Sequence, residues 1–96
     1  MIRNFACQET ASFFHGDFKQ GRSLIPQTLW KAAIRKLDLL NAAVELRDLL
    51  SPPGNQLEKL SGKFEGRYSI HINDQFRIVF RFEQGHAYEV SIADYH

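Results

Sequence analysis

Asp94, Tyr95 and His96 place a carboxylate, a phenol and an imidazole in succession at the end of an alternating apolar run, and Arg77 falls in the run before it. Each of these side chains can move a proton or stabilise charge on a phosphate. Packing alone does not call for such a tripeptide at a chain end, so a polar ligand is the expected reason for it. RNA is a polymer for which these groups suffice. Its 2′-hydroxyl attacks the adjacent phosphate once one group takes the proton, a second steadies the phosphate charge, and a third protonates the leaving oxygen. Arg77 suits the phosphate, because guanidinium is permanently charged and binds in a bidentate fork. His96 suits acid or base work, Tyr95 suits stacking or proton transfer, and Asp94 suits orienting a neighbour. DNA lacks the attacking hydroxyl, so such a site selects RNA.

Other chemistries find less support. No glycine-rich phosphate loop of Walker or Rossmann spacing occurs, and no nucleophile elbow. His15, His71, His86 and His96 lack zinc-ligand spacing, and Cys7 is the single cysteine. Neither a metal nor another cofactor is expected. Cys7 also excludes an internal disulfide and reads as a small buried hydrophobe beside Phe5. His15 and His86 read as solvated turn residues.

The chain has 96 residues, 44% of them apolar and eight of them Phe, enough for one domain over 1–96 without covalent staples. Arg3, Asn4, Gln8 and Glu9 interrupt the first stretch, so no signal peptide is expected, and no run approaches a membrane span of about 20 residues. The cytoplasm is the expected compartment. Net charge is +1, which does not announce a nucleic-acid binder. Its distribution is uneven. Lys59, Lys63, Arg67, Arg77 and Arg81 stand against only Glu65 and Asp74, whereas from residue 82 onward Glu83, Glu89 and Asp94 meet no Lys or Arg.

The elements that must position these groups follow from spacing. Ile2, Phe5 and Cys7 predict a short first strand, and Glu9 to Phe14 a brief helix. Asp17 to Ser23 is a polar loop. Pro26 suits the first turn of a helix over about Gln27 to Ala43, whose apolar stripe is Trp30, Ala33, Ile34, Leu37, Leu40 and Val44. Ser51-Pro52-Pro53-Gly54-Asn55 forms a stiff turn, after which Leu57 and Leu60 anchor a loop to the core. Three alternating runs then predict an antiparallel meander: Tyr68, Ile70, Ile72; Phe76, Ile78, Phe80, Phe82; and Tyr88, Val90, Ile92.

Strands pair so that apolar faces coincide. Ile72 is therefore expected opposite Phe76, Ile70 opposite Ile78, Tyr68 opposite Phe80, His71 opposite Arg77 and Arg67 opposite Arg81. A three-residue loop, Glu83-Gln84-Gly85, puts Phe80 opposite Tyr88, Ile78 opposite Val90 and Arg77 opposite Ser91. One face is then apolar and covered by helices. The other carries Arg67, His71, Arg77, Arg81, Ser91 and Tyr95, with only Glu89 among them. A solvated polar face is ordinary for an antiparallel sheet, but three grouped arginines favour a surface for a polyanion.

Several segments together resemble the HigB branch of the RelE/ParE toxin superfamily, also called plasmid-maintenance killer proteins. They are Met1-Ile2-Arg3 with Phe5; Arg35-Lys36-Leu37-Asp38 with Leu40-Asn41-Ala42-Ala43; and Ser51-Pro52-Pro53-Gly54-Asn55. Leu57-Glu58 with Leu60 and Gly62, Tyr68-Ser69-Ile70 through Ile72-Asn73-Asp74-Gln75 with Arg77, and Asp94-Tyr95-His96 complete the set. The resemblance implies an α+β RelE-like fold, with an N-terminal strand and two helices packed on a small, mainly antiparallel sheet that ends in a three-stranded meander. It implies a toxin that enters the ribosomal A site and cleaves mRNA during translation. A HigA-like helix-turn-helix antitoxin would neutralise it, and operator DNA would be met only through that antitoxin. Arg77, Asp94, Tyr95 and His96 match the family's functional positions, and Lys59, Lys63, Arg67, His71 and Arg81 are the expected contacts to RNA or ribosome. This chain has Glu58 and Ser61 where some relatives have histidine and lysine, and Gln56 where many have arginine. The alternative readings are a gyrase inhibitor of the ParE branch and a non-catalytic, antitoxin-binding regulator.

Overall fold

The computed structural model describes residues 1–17 and 25–94. Most of the predicted loop from Asp17 to Ser23, together with Tyr95 and His96, lies outside the described residues. The first helix, α1, is Gln8–Phe14. A 3-10 turn, Gln27–Leu29, leads into the second, α2, Trp30–Ala42. Pro26 stands just before that turn, where its missing N–H costs nothing. Ala33, Leu37 and Leu40 are buried, as the stripe requires. Val44 departs from it and is 70% exposed. The helix stops at Ala42, Ala43 turns extended, and Ala43 itself fills the last core position.

The sheet has four strands in sequence order: β1 Glu58–Lys59, β2 Tyr68–His71, β3 Phe76–Glu83 and β4 His86–Asp94. All neighbours are antiparallel. Ile70, Phe76, Ile78, Phe80, Ala87, Val90 and Ile92 face Phe13 and the apolar face of α2 in one core. Thr10 is buried and its hydroxyl accepts the amide of Ile92 at 3.2 Å, docking α1 onto β4. Cys7 is only half-buried rather than a core residue, with its sulfur 3.1 Å from that same hydroxyl.

Tyr68 faces Phe80, Ile70 faces Ile78 and His71 faces Arg77, as apolar alternation requires. β1 was not foreseen: the stretch read as a loop adds a two-residue edge strand, with Glu58 opposite Ser69. The register of β4 differs twice from expectation. Glu83 pairs with His86, so the hairpin loop is two residues, Gln84 and Gly85, both at positive φ as a type I′ turn demands. His86 therefore opens β4 rather than lying in a turn. Farther along, Val79 and Arg81 have one residue between them, while their partners Ser91 and Tyr88 have two. The extra residue is a β-bulge containing Glu89 at φ 53.

Each change shifts the register by one, with opposite consequences on the two sides of the bulge. Near the turn, Tyr88 faces Arg81 and Ala87 takes the core place expected of Tyr88. Beyond the bulge the two shifts restore the face, so Ser91 stays on the arginine side, though opposite Val79, and Arg77 faces Ala93. The N-terminal stretch runs parallel to β4 through two isolated bridges, Ile2 with Ala87 and Phe5 with Val90, rather than as a continuous strand. Its Asn4 side chain accepts the amide of Glu89 at 2.6 Å. The N–H that the bulge removes from the ladder is satisfied there.

The left-handed backbone at Glu89 leads to the first prediction. Glu89→Gly and Glu89→Ala lose the same carboxylate, but only glycine adopts positive φ without steric cost. In urea unfolding the glycine variant should be the more stable by about 1 kcal/mol; equal stabilities would contradict the conformation described.

Candidate functional site

Arg77 points away from the helices, between His71 on β2 and Ala93 on β4. Its side chain is only 13% exposed. The guanidinium Nη1 donates to the hydroxyl of Ser69 at 3.3 Å and forms a charge-assisted hydrogen bond with a carboxylate oxygen of Glu58. Ser69 and Val79, also on this outer face, are 0% and 3% exposed although the helical core lies on the other side. The centre of the face is therefore a covered floor, unlike a fully solvated strand surface.

Farther along the same face Arg67 donates to Glu89 at 2.9 Å. Arg81 donates to Glu83 at 2.6 Å and lies 3.7 Å from Glu89. The hydrogen bond that Arg81 donates to Glu83 is the chief cause of an upward shift in the Arg81 pKa, with the charges of Glu83 and Glu89 adding to it. The bulge thus delivers one carboxylate between two arginines whose mutual repulsion would otherwise be unfavourable. The expectation that only Glu89 interrupts the basic groups is corrected: Glu58 and Glu83 reach this face as well. His71 has Nε2 at 3.5 Å from Asp74, while its buried Nδ1 has no hydrogen-bond partner.

Arg67, His71, Arg77 and Arg81 thus share the outer face. Asp94 does not join them. It lies opposite Phe76, on the helix side at the sheet's end, where it accepts from the Gln75 amide at 3.1 Å. Lys59 pairs with Tyr68 on exposed β1, adjacent to Glu58 but on the alternate side. Lys63 sits in the exposed turn Gly62–Phe64, with its ammonium 5.2 Å from the Phe64 ring centroid. Among the described residues no group of three or more His, Cys, Asp or Glu could hold a metal ion.

Glu58, Ser69 and Glu83 are the site residues that pattern reading missed. A two-residue strand has no periodicity to detect, and the available signal was Glu58 lying between the apolar residues Leu57, which packs on the core as expected, and Leu60, which is buried but is not part of that core cluster. A guanidinium touching a carboxylate on a covered floor can do two things. It can neutralise a phosphate, and the carboxylate released from it can accept a proton.

A four-stranded antiparallel sheet carrying two helices on one face is the α+β fold of RelE-like toxins. Two solved structures share it, both of the YoeB–YefM toxin–antitoxin complex from Staphylococcus aureus. The first superposes with a TM-score of 0.61 at 22% identity over 100% of this chain and 98% of that chain. The second does so with 0.60 at 18% identity and the same coverage. Residues 3–96 match the family model described as RelE-like toxin of type II toxin–antitoxin system HigB. Toxin HigB-1 of Vibrio cholerae serotype O1 is 43% identical over 72 residues, 75% of each chain. A Haemophilus influenzae protein is 44% identical over 61 residues, 64% of this chain and 60% of its own length. The chain belongs to the HigB-like toxins, the RelE-like toxins of type II toxin–antitoxin systems.

At the hairpin end, away from Arg77, His86 Nε2 lies 3.2 Å from the Arg3 guanidinium. Burial is the main cause holding the imidazole pKa below its ordinary 6.5, followed by the charges of Arg3 and the amino terminus. The unfolded chain therefore takes up this proton at higher pH than the folded one, so stability falls as pH drops below the ordinary value. His86→Gln should lose less stability than the wild type between about pH 7.5 and 5.5, read as the shift in urea midpoint. Identical pH slopes would mean that folding leaves His86 unperturbed.

Proposed function

We propose that this toxin is a metal-independent endoribonuclease that cuts mRNA on the ribosome and is held inactive by a cognate HigA-like helix-turn-helix antitoxin, which alone brings it to operator DNA. The observation that supports this most is the Arg77–Glu58 pair over the floor of Ser69 and Val79. In this reading a substrate phosphate takes the guanidinium fork. Glu58, displaced from it, accepts the proton of the 2′-hydroxyl. The 2′-oxygen then bonds to phosphorus as the bond to the 5′-oxygen breaks, and His96 donates the proton that the leaving oxygen needs. Products are a 2′,3′-cyclic phosphate and a 5′-hydroxyl. Tyr95 stacks on a base. Asp94, tied to Gln75, steadies the end of β4 from which those two residues continue.

The charge arrangement favours ribosome dependence. All three arginines of the outer face have carboxylate partners, and net charge is +1, so long-range attraction for free RNA is weak. A substrate delivered by a larger partner removes the need for it. Lys59, Lys63, Arg67, His71 and Arg81 then serve as contacts to the message or to ribosomal RNA. The cytoplasm, where ribosomes and message meet, is the compartment this reading requires. Among the described residues no helix is long and apolar enough to cross a membrane.

Brief induction followed by mapping of mRNA 5′ ends is the direct test. Wild type should give cuts in frame with translated codons. Arg77→Ala should slow cleavage on programmed ribosomes by about 10²–10³-fold, and both Glu58→Gln and His96→Ala by about 10²-fold or more. Intact message with damaged DNA would point to gyrase instead, and full toxicity of a folded Arg77→Ala protein would overturn the assignment.

A further inference from the structure

Glu58 belongs to a strand of two residues, too short to hold itself, and the chain on either side must fix it. On the far side Leu60 is buried and its amide donates to the carbonyl of Arg67 at 2.8 Å. On the near side, three residues before Glu58, stands Asn55. It is completely buried, an uncommon place for an amide side chain. Its Nδ2 donates to the carbonyls of Leu49 at 3.1 Å and Ser51 at 3.3 Å, and its Oδ1 accepts from the ammonium of Lys36 on α2. One side chain therefore ties the middle of the helix to both ends of the Ser51–Asn55 turn. Directly after it Gln56 takes a left-handed conformation, φ 45, and Leu57 packs onto the core. Glu58 follows with its carboxylate on Arg77.

We propose that Asn55 and Lys36 form a positioning clamp for the toxin's reaction, setting the height of β1 so that the Glu58 carboxylate meets Arg77. This rests on the reading of Glu58 as proton acceptor. Neither residue touches substrate; both act through Glu58. A turn that only reversed the chain would be served by exposed polar residues. Here a lysine is partly withdrawn from water to reach a buried amide, and burial, with Arg35 alongside, lowers its pKa. A buried amide without partners would be costly, so clamp and turn hold or fail together. Errors of about 1 Å in a reacting group can slow a reaction by about a hundredfold.

A double-mutant cycle on ribosomes programmed with a defined message tests this. Asn55→Ala, and separately Lys36→Met, which keeps the packed stem and removes the donor, should each slow single-turnover cleavage by about tenfold or more. In a Glu58→Gln background neither should slow it further, and Lys36→Arg should restore most of the rate. Thermal unfolding identifies which variants are folded, and Lys36→Met decides the matter where Asn55→Ala is not. Equal losses in both backgrounds, or no loss from a folded Lys36→Met protein, would overturn the clamp while leaving Glu58 in its role. A Glu58→Gln enzyme as fast as wild type would overturn the role of Glu58 and the clamp with it.

Discussion

The surface of this toxin depends on one residue too many in β4. Because strand side chains alternate with period two, an extra residue exchanges the faces of everything beyond it. The two-residue turn at Gln84 and Gly85 makes one such exchange and the bulge at Glu89 reverses it. Ser91 therefore lies on the arginine face, while Val90 and Ile92 remain in the core. The left-handed backbone at Glu89 is an unfavourable conformation for a side chain other than glycine. What maintains it is visible on both sides. The Asn4 side chain accepts the displaced amide, and the carboxylate gathers Arg67 and Arg81.

That gathering has an electrostatic logic. Adjacent arginines on a half-covered face would repel one another and demand solvent. Carboxylates from four separate places in the chain, Glu58, Asp74, Glu83 and Glu89, meet the cations and imidazole of this face instead. Exposed pairs of this kind add little to stability, of the order of 0–1 kcal/mol. Their consequence lies in preorganisation: forked donors are held in fixed directions before a ligand arrives. In the proposed reaction a phosphate would exchange with a carboxylate at a donor set already oriented.

Much of this was legible from alternation alone. The amphipathic helix, the three meander strands and the β2–β3 register follow from apolar spacing, because strict alternation with a buried face leaves one solution. Placing Arg77 on the outward face followed too. What escaped detection depends on partners distant in sequence. The bulge is stabilised by Asn4, 85 residues from Glu89, and Gln84 adopts positive φ without being one of the residues that announce a type I′ turn. β1 is too short to show a period, so the carboxylate that meets Arg77 was visible only as an unusual residue in a resemblance. Asp94, expected to share a corner with Arg77, has the parity of Val90 and Ile92, so alternation carried to the end of the strand sets it on the helix side, opposite Phe76.

The two ends of the molecule's charge pattern also differ in kind. At the hairpin end a cation sits beside an imidazole whose pKa burial and like charge hold below its ordinary value, so that corner answers to pH. At the Arg77 end the cation sits beside a carboxylate, and the pair is self-neutralising. A site of the second kind attracts little from a distance, and an anion that reaches it would take the fork by exchange, one acceptor for another. In the proposed reaction that exchange does more than bind. The phosphate that claims Arg77 would also free the Glu58 carboxylate oxygen from its hydrogen bond at the moment a proton must be taken. Substrate binding and release of the acceptor would then be a single displacement on the covered floor of Ser69 and Val79.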